Sequence, residues 1–393
     1  MPTTTDKAAY RTLLPGDPAP WFLQRSTSNE RYHFDTAAGR WLVLCFFATT
    51  REPTSRAALR GVGALRDRFD DSFASFFGVS LDPADEAQQR VVQSLPGIRF
   101  IWDFDGRVSE AYGVIPLARG KGPVEAIRRW VVLDPMLRVH AIVPVAGPDG
   151  GAGEIASIVA ALPPVERYVG AEVAAPVLVL PGVFEPAFCA RLVETYAAHG
   201  GEDSGFMRER DGRTVAVTDH GHKRRSDHLL NDQELIDAAR QRVRRRVVPE
   251  ILKAHQFEVT RMERFLVGCY DAESSGHFRP HRDNTTKGTA HRRFAVSIGL
   301  NEDYEGGELV FPEFGPRRYR STTGLAIVFS CSLLHTVRPV TRGRRFVFLP
   351  FLYDEAAARQ REANNVFLDP AIGQYHADGE IPAPGGAPGA AEA

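Results

Sequence analysis

The sequence predicts a two-domain chain, an α/β unit followed by a β-rich unit with flanking helices, and three observations predict it. At 393 residues the chain is long for one hydrophobic core. From Trp41 onward the first half alternates apolar runs with amphipathic stretches, the pattern of strands and helices in turn. The second half gathers apolar, β-prone runs between 265 and 349, separated by Gly, Pro and Asn/Asp signals.

The elements follow in order. Trp41 to Phe47 reads as a buried strand, Ser55 to Phe69 as an amphipathic helix and Phe76 to Leu81 as a second strand. Ala84 to Leu95 reads as a helix and Arg99 to Trp102 as a strand; Arg129–Leu133 and Arg138–Val143 then form a hairpin through Asp134-Pro135. Leu162-Pro163-Pro164 and Val173-Ala174-Ala175-Pro176 bracket a connection, after which Val177 to Leu180 is a short strand stopped by Pro181-Gly182. Helices are expected from Phe184 and over Asp232 to Val248. The predicted domains are therefore 1–163 and 177–372, with a linker over 164–176 and a disordered Ala/Gly/Pro-rich tail over 373–393.

Composition narrows the function classes. Charge is balanced, with 48 Lys and Arg against 49 Asp and Glu, and the only lysines are Lys7, Lys121, Lys223, Lys253 and Lys287. Neither number suggests a nucleic-acid partner. No run of about 18 apolar residues occurs, and Met1 to Lys7 lacks a basic end before an apolar stretch, so neither membrane span nor secretion signal is expected. Cys45, Cys189, Cys269 and Cys331 are dispersed in or beside apolar runs with no Cys-x-x-Cys pair, which predicts buried thiols in a reducing, cytoplasmic setting.

One pattern carries chemistry. His281 and Asp283 are two apart, so on a strand both point to one side. His335 falls in the apolar, β-rich run Leu325 to Val337, read as a buried strand. Thr341-Arg342-Gly343 is a turn signal, and the run Arg344 to Leu349 then returns Arg345 beside His335 in a hairpin. Two imidazoles and one carboxylate on one face of a ferrous ion leave adjacent positions open for an organic chelator and dioxygen. A guanidinium nearby suits the distal carboxylate of a dicarboxylate. A single histidine is more often a hydrogen-bonded surface or core residue than a ligand; the ordered set decides for metal.

Tyr270, Gly276, Phe278, His281 and Asp283, the stretch Asn301 to Leu309 with Gly306-Gly307-Glu308-Leu309, and Ser330 to Arg345 together resemble the 2-oxoglutarate/Fe(II) dioxygenases of the prolyl-4-hydroxylase type, and especially the PKHD-type hydroxylases. The resemblance implies a double-stranded β-helix (jelly roll) with flanking helices, with Fe(II), 2-oxoglutarate and O2 as cofactor and co-substrates and ascorbate as accompanying reductant. It implies His281, Asp283 and His335 as metal ligands and catalytic residues, with Arg345 and Tyr270 on 2-oxoglutarate, Tyr270 being otherwise a core tyrosine. The expected reaction hydroxylates a small-molecule or peptidyl substrate and releases succinate and CO2. An aspartate at 283, where halogenating relatives carry a small residue, favours hydroxylation.

The order of the first half resembles a thioredoxin fold. Pro15 to Pro20, Gly78 to Asp82, Ala111 to Val114, and Arg128 before Val132-Leu133-Asp134 resemble the AhpC/TSA peroxiredoxins. By that family's spacing the nucleophilic cysteine position falls at Ser55, and Cys45 is the only cysteine in this half. A non-catalytic unit for docking a protein partner, substrate capture or homodimerisation is the expectation. The competing readings are a non-enzymatic interaction protein and a thiol peroxidase. The Asp219 to Arg225 segment, with its His220-x-His222 pair, reads as a solvated loop or as a cover over the site; His277 and His291 flank the motif as surface or substrate-contacting residues.

Overall fold

The computed structural model describes residues 9–117 and 125–377; the expectations for Met1 to Lys7 and for the tail beyond 377 lie outside the described residues. The chain folds as two compact units. One runs through Ala175 and includes Phe311–Arg317; the other runs from Pro176 to Val310 and resumes at Arg318.

The first unit is built on a five-stranded sheet ordered Ile98–Trp102, Ala74–Ser80, Trp41–Ala48, Arg129–Leu133, Val139–Pro144. The first three strands are parallel and the last two antiparallel to their neighbours, a thioredoxin-like arrangement. Trp41 to Phe47 is continuously apolar because both faces of this central strand are covered. Trp41, Val43, Cys45 and Phe47 pack on one face with Phe76, Phe100, Trp130 and the helix residues Ile155 and Val159. The hairpin turns at Asp134, whose Oδ1 accepts from the amides of Met136 and Arg138, both at 2.9 Å. The expected helix from Ala84 to Leu95 is shorter, Pro83–Ala87. Asp82 caps its start by accepting from the Ala84 amide, and the left-handed Gln89 (φ 49°) turns the chain away after it.

The second unit holds a nine-stranded and a five-stranded sheet, the two-sheet arrangement of a jelly roll. Helices Pro186–His199 and Gln233–Arg246 cover one face of the larger sheet. Leu192, Tyr196, Leu235, Ala239 and Val243 pack there against Val267, Cys269, Val296, Ile298, Phe346 and Phe348. Strand alternation then sends Tyr270, Ser297 and Arg345 to the opposite face of the same sheet.

Two expectations for the strands are corrected. Leu325 to Val337 is not one strand: Ala326–Ser330 pairs with Phe294–Gly299 in the larger sheet, whereas His335–Val337 lies in the smaller sheet between His277–His281 and Leu309–Val310. The chain changes sheet through a turn in which the Leu333 amide donates to the Ser330 carbonyl at 3.0 Å. The expected hairpin between the His335 and Arg345 strands does not form. Val340–Arg342 pairs with Glu305–Gly306, the chain bends at left-handed Gly343 (φ 71°), and Arg344–Phe348 enters the larger sheet beside Leu266–Asp271. Among the described residues no helix is long and apolar enough to cross a membrane.

Candidate metal centre

His281 ends its strand and His335 begins the neighbouring one in the smaller sheet, and the two are direct antiparallel partners in register, with Asp283 in the turn just beyond His281 rather than on the strand as expected. The register shifts between Phe278 and His281, a bulge that re-aims the end of the strand. The imidazole centroids stand 4.2 Å apart. Each ring is fixed through its Nδ1, at 2.7 Å from the Arg279 carbonyl for His281 and 3.0 Å from the Leu333 carbonyl for His335. A carbonyl only accepts, so both Nδ1 atoms carry the proton and both Nε2 lone pairs are left to bind.

Asp283 faces those lone pairs. Its Oδ1 lies 3.6 Å from His281 Nε2 and its Oδ2 3.4 Å from His335 Nε2, while its amide donates to the Cys331 carbonyl at 2.9 Å. The three ligand atoms lie within 4.8 Å of one another, a spacing that an ion with bonds of about 2.1 Å can bridge. Burial, and next the neighbouring His335, push His281 well below the ordinary histidine range, so the neutral ligand form prevails. Arg282, between the two ligands, turns its buried guanidinium to the Ser332 carbonyl.

A cationic site lies on the inner face of the larger sheet. Arg345 is only 2% exposed and is the register partner of Tyr270, whose ring centroid is 5.2 Å from its guanidinium carbon. Its Nη2 reaches Ser297 Oγ at 3.2 Å, but its Nε has no partner among the described residues. A buried guanidinium with an unmet donor is costly and fits a ligand carboxylate. Gly307 makes room for it: at φ 69°, a Cβ there stands 2.8 Å from Arg345 Cδ.

Arg225 was not legible as a site residue, because it lies in the charged segment read as a solvated loop. It is buried, pairs with Asp227 through Nε to Oδ1 and Nη2 to Oδ2, both at 2.6 Å, and donates from Nη1 to the Tyr270 hydroxyl at 3.4 Å. Burial alone favours loss of its charge; Asp227 outweighs that and holds it firmly cationic. The rest of the segment divides. His220 is exposed, 2.6 Å from Asp203, whereas the His222 ring lies 5.5 Å from Phe278 and 6.5 Å from His281 and so borders the metal ligands. Lys223 is buried and donates to Ser204 Oγ and the Gly205 carbonyl; burial pushes its ammonium down to about 6. His291 is buried 3.2 Å from Glu263, and His277 Nδ1 lies 2.8 Å from the Ser275 carbonyl; neither is among the three ligands.

In the first unit Ser55 sits fully buried in the helix Pro53–Ala64, its hydroxyl donating to the Phe47 carbonyl at 2.8 Å. Cys45 is fully buried in the central strand, and burial pushes its thiol well up, away from the reactive thiolate. Thiol-dependent hydrogen peroxide consumption is therefore expected at the protein-free rate for wild type and Cys45→Ser alike. A wild-type rate above background that Cys45→Ser removes contradicts this.

Comparison with known proteins places each unit. Residues 265–353 match the model of the 2OG-Fe(II) oxygenase superfamily, and residues 15–142 match that of the AhpC/TSA family. A PKHD-type hydroxylase of Verminephrobacter eiseniae (strain EF01-2) is 27% identical over 172 residues, 40% of this chain and 73% of that protein. One from Synechococcus sp. (strain JA-2-3B'a(2-13)) is 29% identical over 111 residues, 26% of this chain and 48% of that protein, so the chain spans about half of its length. Among solved structures, a prolyl hydroxylase from Trichoplax adhaerens, in complex with a hypoxia inducible factor peptide fragment, is 15% identical, with a TM-score of 0.38 over 48% of this chain and 86% of that one.

Proposed function

We propose that this chain, which joins an AhpC/TSA-family unit to a 2OG-Fe(II) oxygenase-family unit, is a 2-oxoglutarate-dependent dioxygenase that hydroxylates an unactivated C–H bond of a peptidyl, amino-acid-like or other small substrate, releasing succinate and CO2. The observation that carries the reading is the pairing of a two-histidine, one-aspartate cluster with a buried arginine whose Nε has no partner among the described residues. His281, Asp283 and His335 hold the iron, which supplies dioxygen activation coupled to decarboxylation of the co-substrate. Arg345 holds the distal carboxylate of 2-oxoglutarate.

The chain's own hydrogen bonds set the remaining roles. Arg225 donates to the Tyr270 oxygen, so the phenolic hydrogen points elsewhere and Tyr270 acts as a second donor to the carboxylate that Arg345 grips. Asp227 holds Arg225 in that position. The neutral His281 imidazole adds no charge to repel a divalent cation, and the surrounding sheet keeps Arg345 dry enough for its charge to bind strongly.

Anaerobic addition of Fe(II) and 2-oxoglutarate is expected to produce the metal-to-ligand charge-transfer band, and admission of air to release succinate. Absence of both in wild type rejects the reading. Arg225→Met is expected to raise the KM for 2-oxoglutarate roughly tenfold with a smaller change in kcat, since it frees the Tyr270 hydroxyl without removing Arg345. Arg225→Lys is expected to recover part of that loss. Equal loss of iron binding in Arg225→Met points instead to collapse of the strand.

A further inference from the structure

We propose that the cavity beside helix Pro53–Ala64 of the first unit binds a small organic anion, with a phosphate, sulfate or carboxylate head on an apolar tail. The cavity has a volume of 760 Å³, within the range of small-molecule sites and far larger than a bare oxyanion needs. Four of its lining residues are arginines, Arg51, Arg56, Arg60 and Arg90, and three are apolar, Leu59, Val91 and Phe100. Arg56, Leu59 and Arg60 share one helix face by their spacing. Ser55, at the position where relatives of this unit carry their thiol, is buried and is not among the lining residues, so the cavity is separate from that position.

Its charge is not balanced from within. Asp82 lies 3.1 Å from Arg51 and 3.4 Å from Arg90, and Asp85 lies 3.4 Å from Arg90. The other nearby acids are engaged elsewhere, Glu52 with Arg128 at 2.6 Å and Glu86 with Arg25 at 2.5 Å. Arg56 donates to the carbonyls of Thr50 and Arg51, at 2.9 and 2.6 Å, and has no carboxylate partner among the described residues. Arg60 has no hydrogen bond or ion pair among the described residues. Two guanidinium groups thus stand uncompensated beside an apolar lining, in a chain whose total charge is only −1.

The wall itself is firm. Buried Asp85 accepts from the Thr50 amide at 3.2 Å and from Ser80 Oγ at 2.7 Å, which ties the segment before the helix to the sheet. Phe100 packs edge-on against Phe47 and Phe76. A head group that bridges Arg56 and Arg60 gains charge-assisted hydrogen bonds, and a tail on Leu59, Val91 and Phe100 gains apolar burial. Neither half alone uses the whole lining.

Calorimetric titration of the full chain with octyl phosphate tests this. One-site, saturable binding is expected, weakened roughly tenfold in Arg56→Gln/Arg60→Gln and unchanged in His335→Ala. Both arginines are exposed, so the double variant should melt with wild type; Arg60→Glu, which reverses one charge, is the second variant. Inorganic phosphate and octylamine are each expected to bind far more weakly. Equal binding of inorganic phosphate or of octylamine, or equal affinity in wild type and both arginine variants, overturns the proposal.

Discussion

His335→Ala is expected to abolish Fe(II) binding and the charge-transfer band, and to lower turnover on the order of 10³-fold or more. The residue is 4% exposed, its Nδ1 is committed to the Leu333 carbonyl, and its Nε2 faces Asp283. Alanine removes the ligand and supplies no replacement. Among the described residues, His281, Asp283 and His335 form the one group of three able to hold an ion, so no second site takes over. Fold loss is checked by near-ultraviolet circular dichroism, which should match wild type because Phe329, with its centroid 4.7 Å from the ring, remains packed in its own strand. Retained turnover in a folded His335→Ala protein rejects the iron assignment.

Arg345→Ala is expected to raise the KM for 2-oxoglutarate about 100-fold or more, corresponding to about 3 kcal/mol for a buried charge-assisted pair. Fe(II) binding without co-substrate should persist, because the arginine belongs to a different sheet from His281 and His335 and is not one of the three ligands. Lysine at 345 is expected to recover only part of the affinity. A guanidinium offers two parallel N–H bonds, and the space opened by Gly307 admits its stem alongside Val340. Titration of 2-oxoglutarate against the charge-transfer band, variant by variant, reads this directly. An unchanged half-saturation point in Arg345→Ala removes the arginine from the co-substrate site.

The parts of this site that were legible in the sequence are those governed by short-range rules. His281 and Asp283 are two residues apart, which suffices to suggest a shared site, but the strand ends at His281 and it is a turn, held by the Asp283 amide on the Cys331 carbonyl, that aims the carboxylate rather than the alternation expected of a strand. The central strand Trp41–Ala48 declares itself by seven consecutive buried residues. Sheet membership is a different matter. Ala326–Ser330 and His335–Val337 are both β-prone and only a short turn apart, and nothing in their composition says that they enter different sheets. The same limit applies to Arg345, whose partner strand is some 75 residues upstream in the register Tyr270 to Arg345. Arg225 was hidden for another reason. A charged residue in a charged segment reads as solvated until its long-range partners, Asp227 on the next strand and Tyr270 beyond it, are in place.

The division of the centre between two sheets has a mechanical consequence. The two histidines of the candidate centre belong to the smaller sheet, with Asp283 in the turn that follows the His281 strand, and Arg345 and Tyr270 belong to the larger. On the proposed reading, a dicarboxylate anchored at both ends would be a strut between the two sheets, and its departure as a shorter product would remove that tie once per cycle. Such a strut would make rigidity a property of the loaded enzyme. Occupancy of the ion and the dicarboxylate together should therefore raise the thermal midpoint by more than the sum of their separate increments.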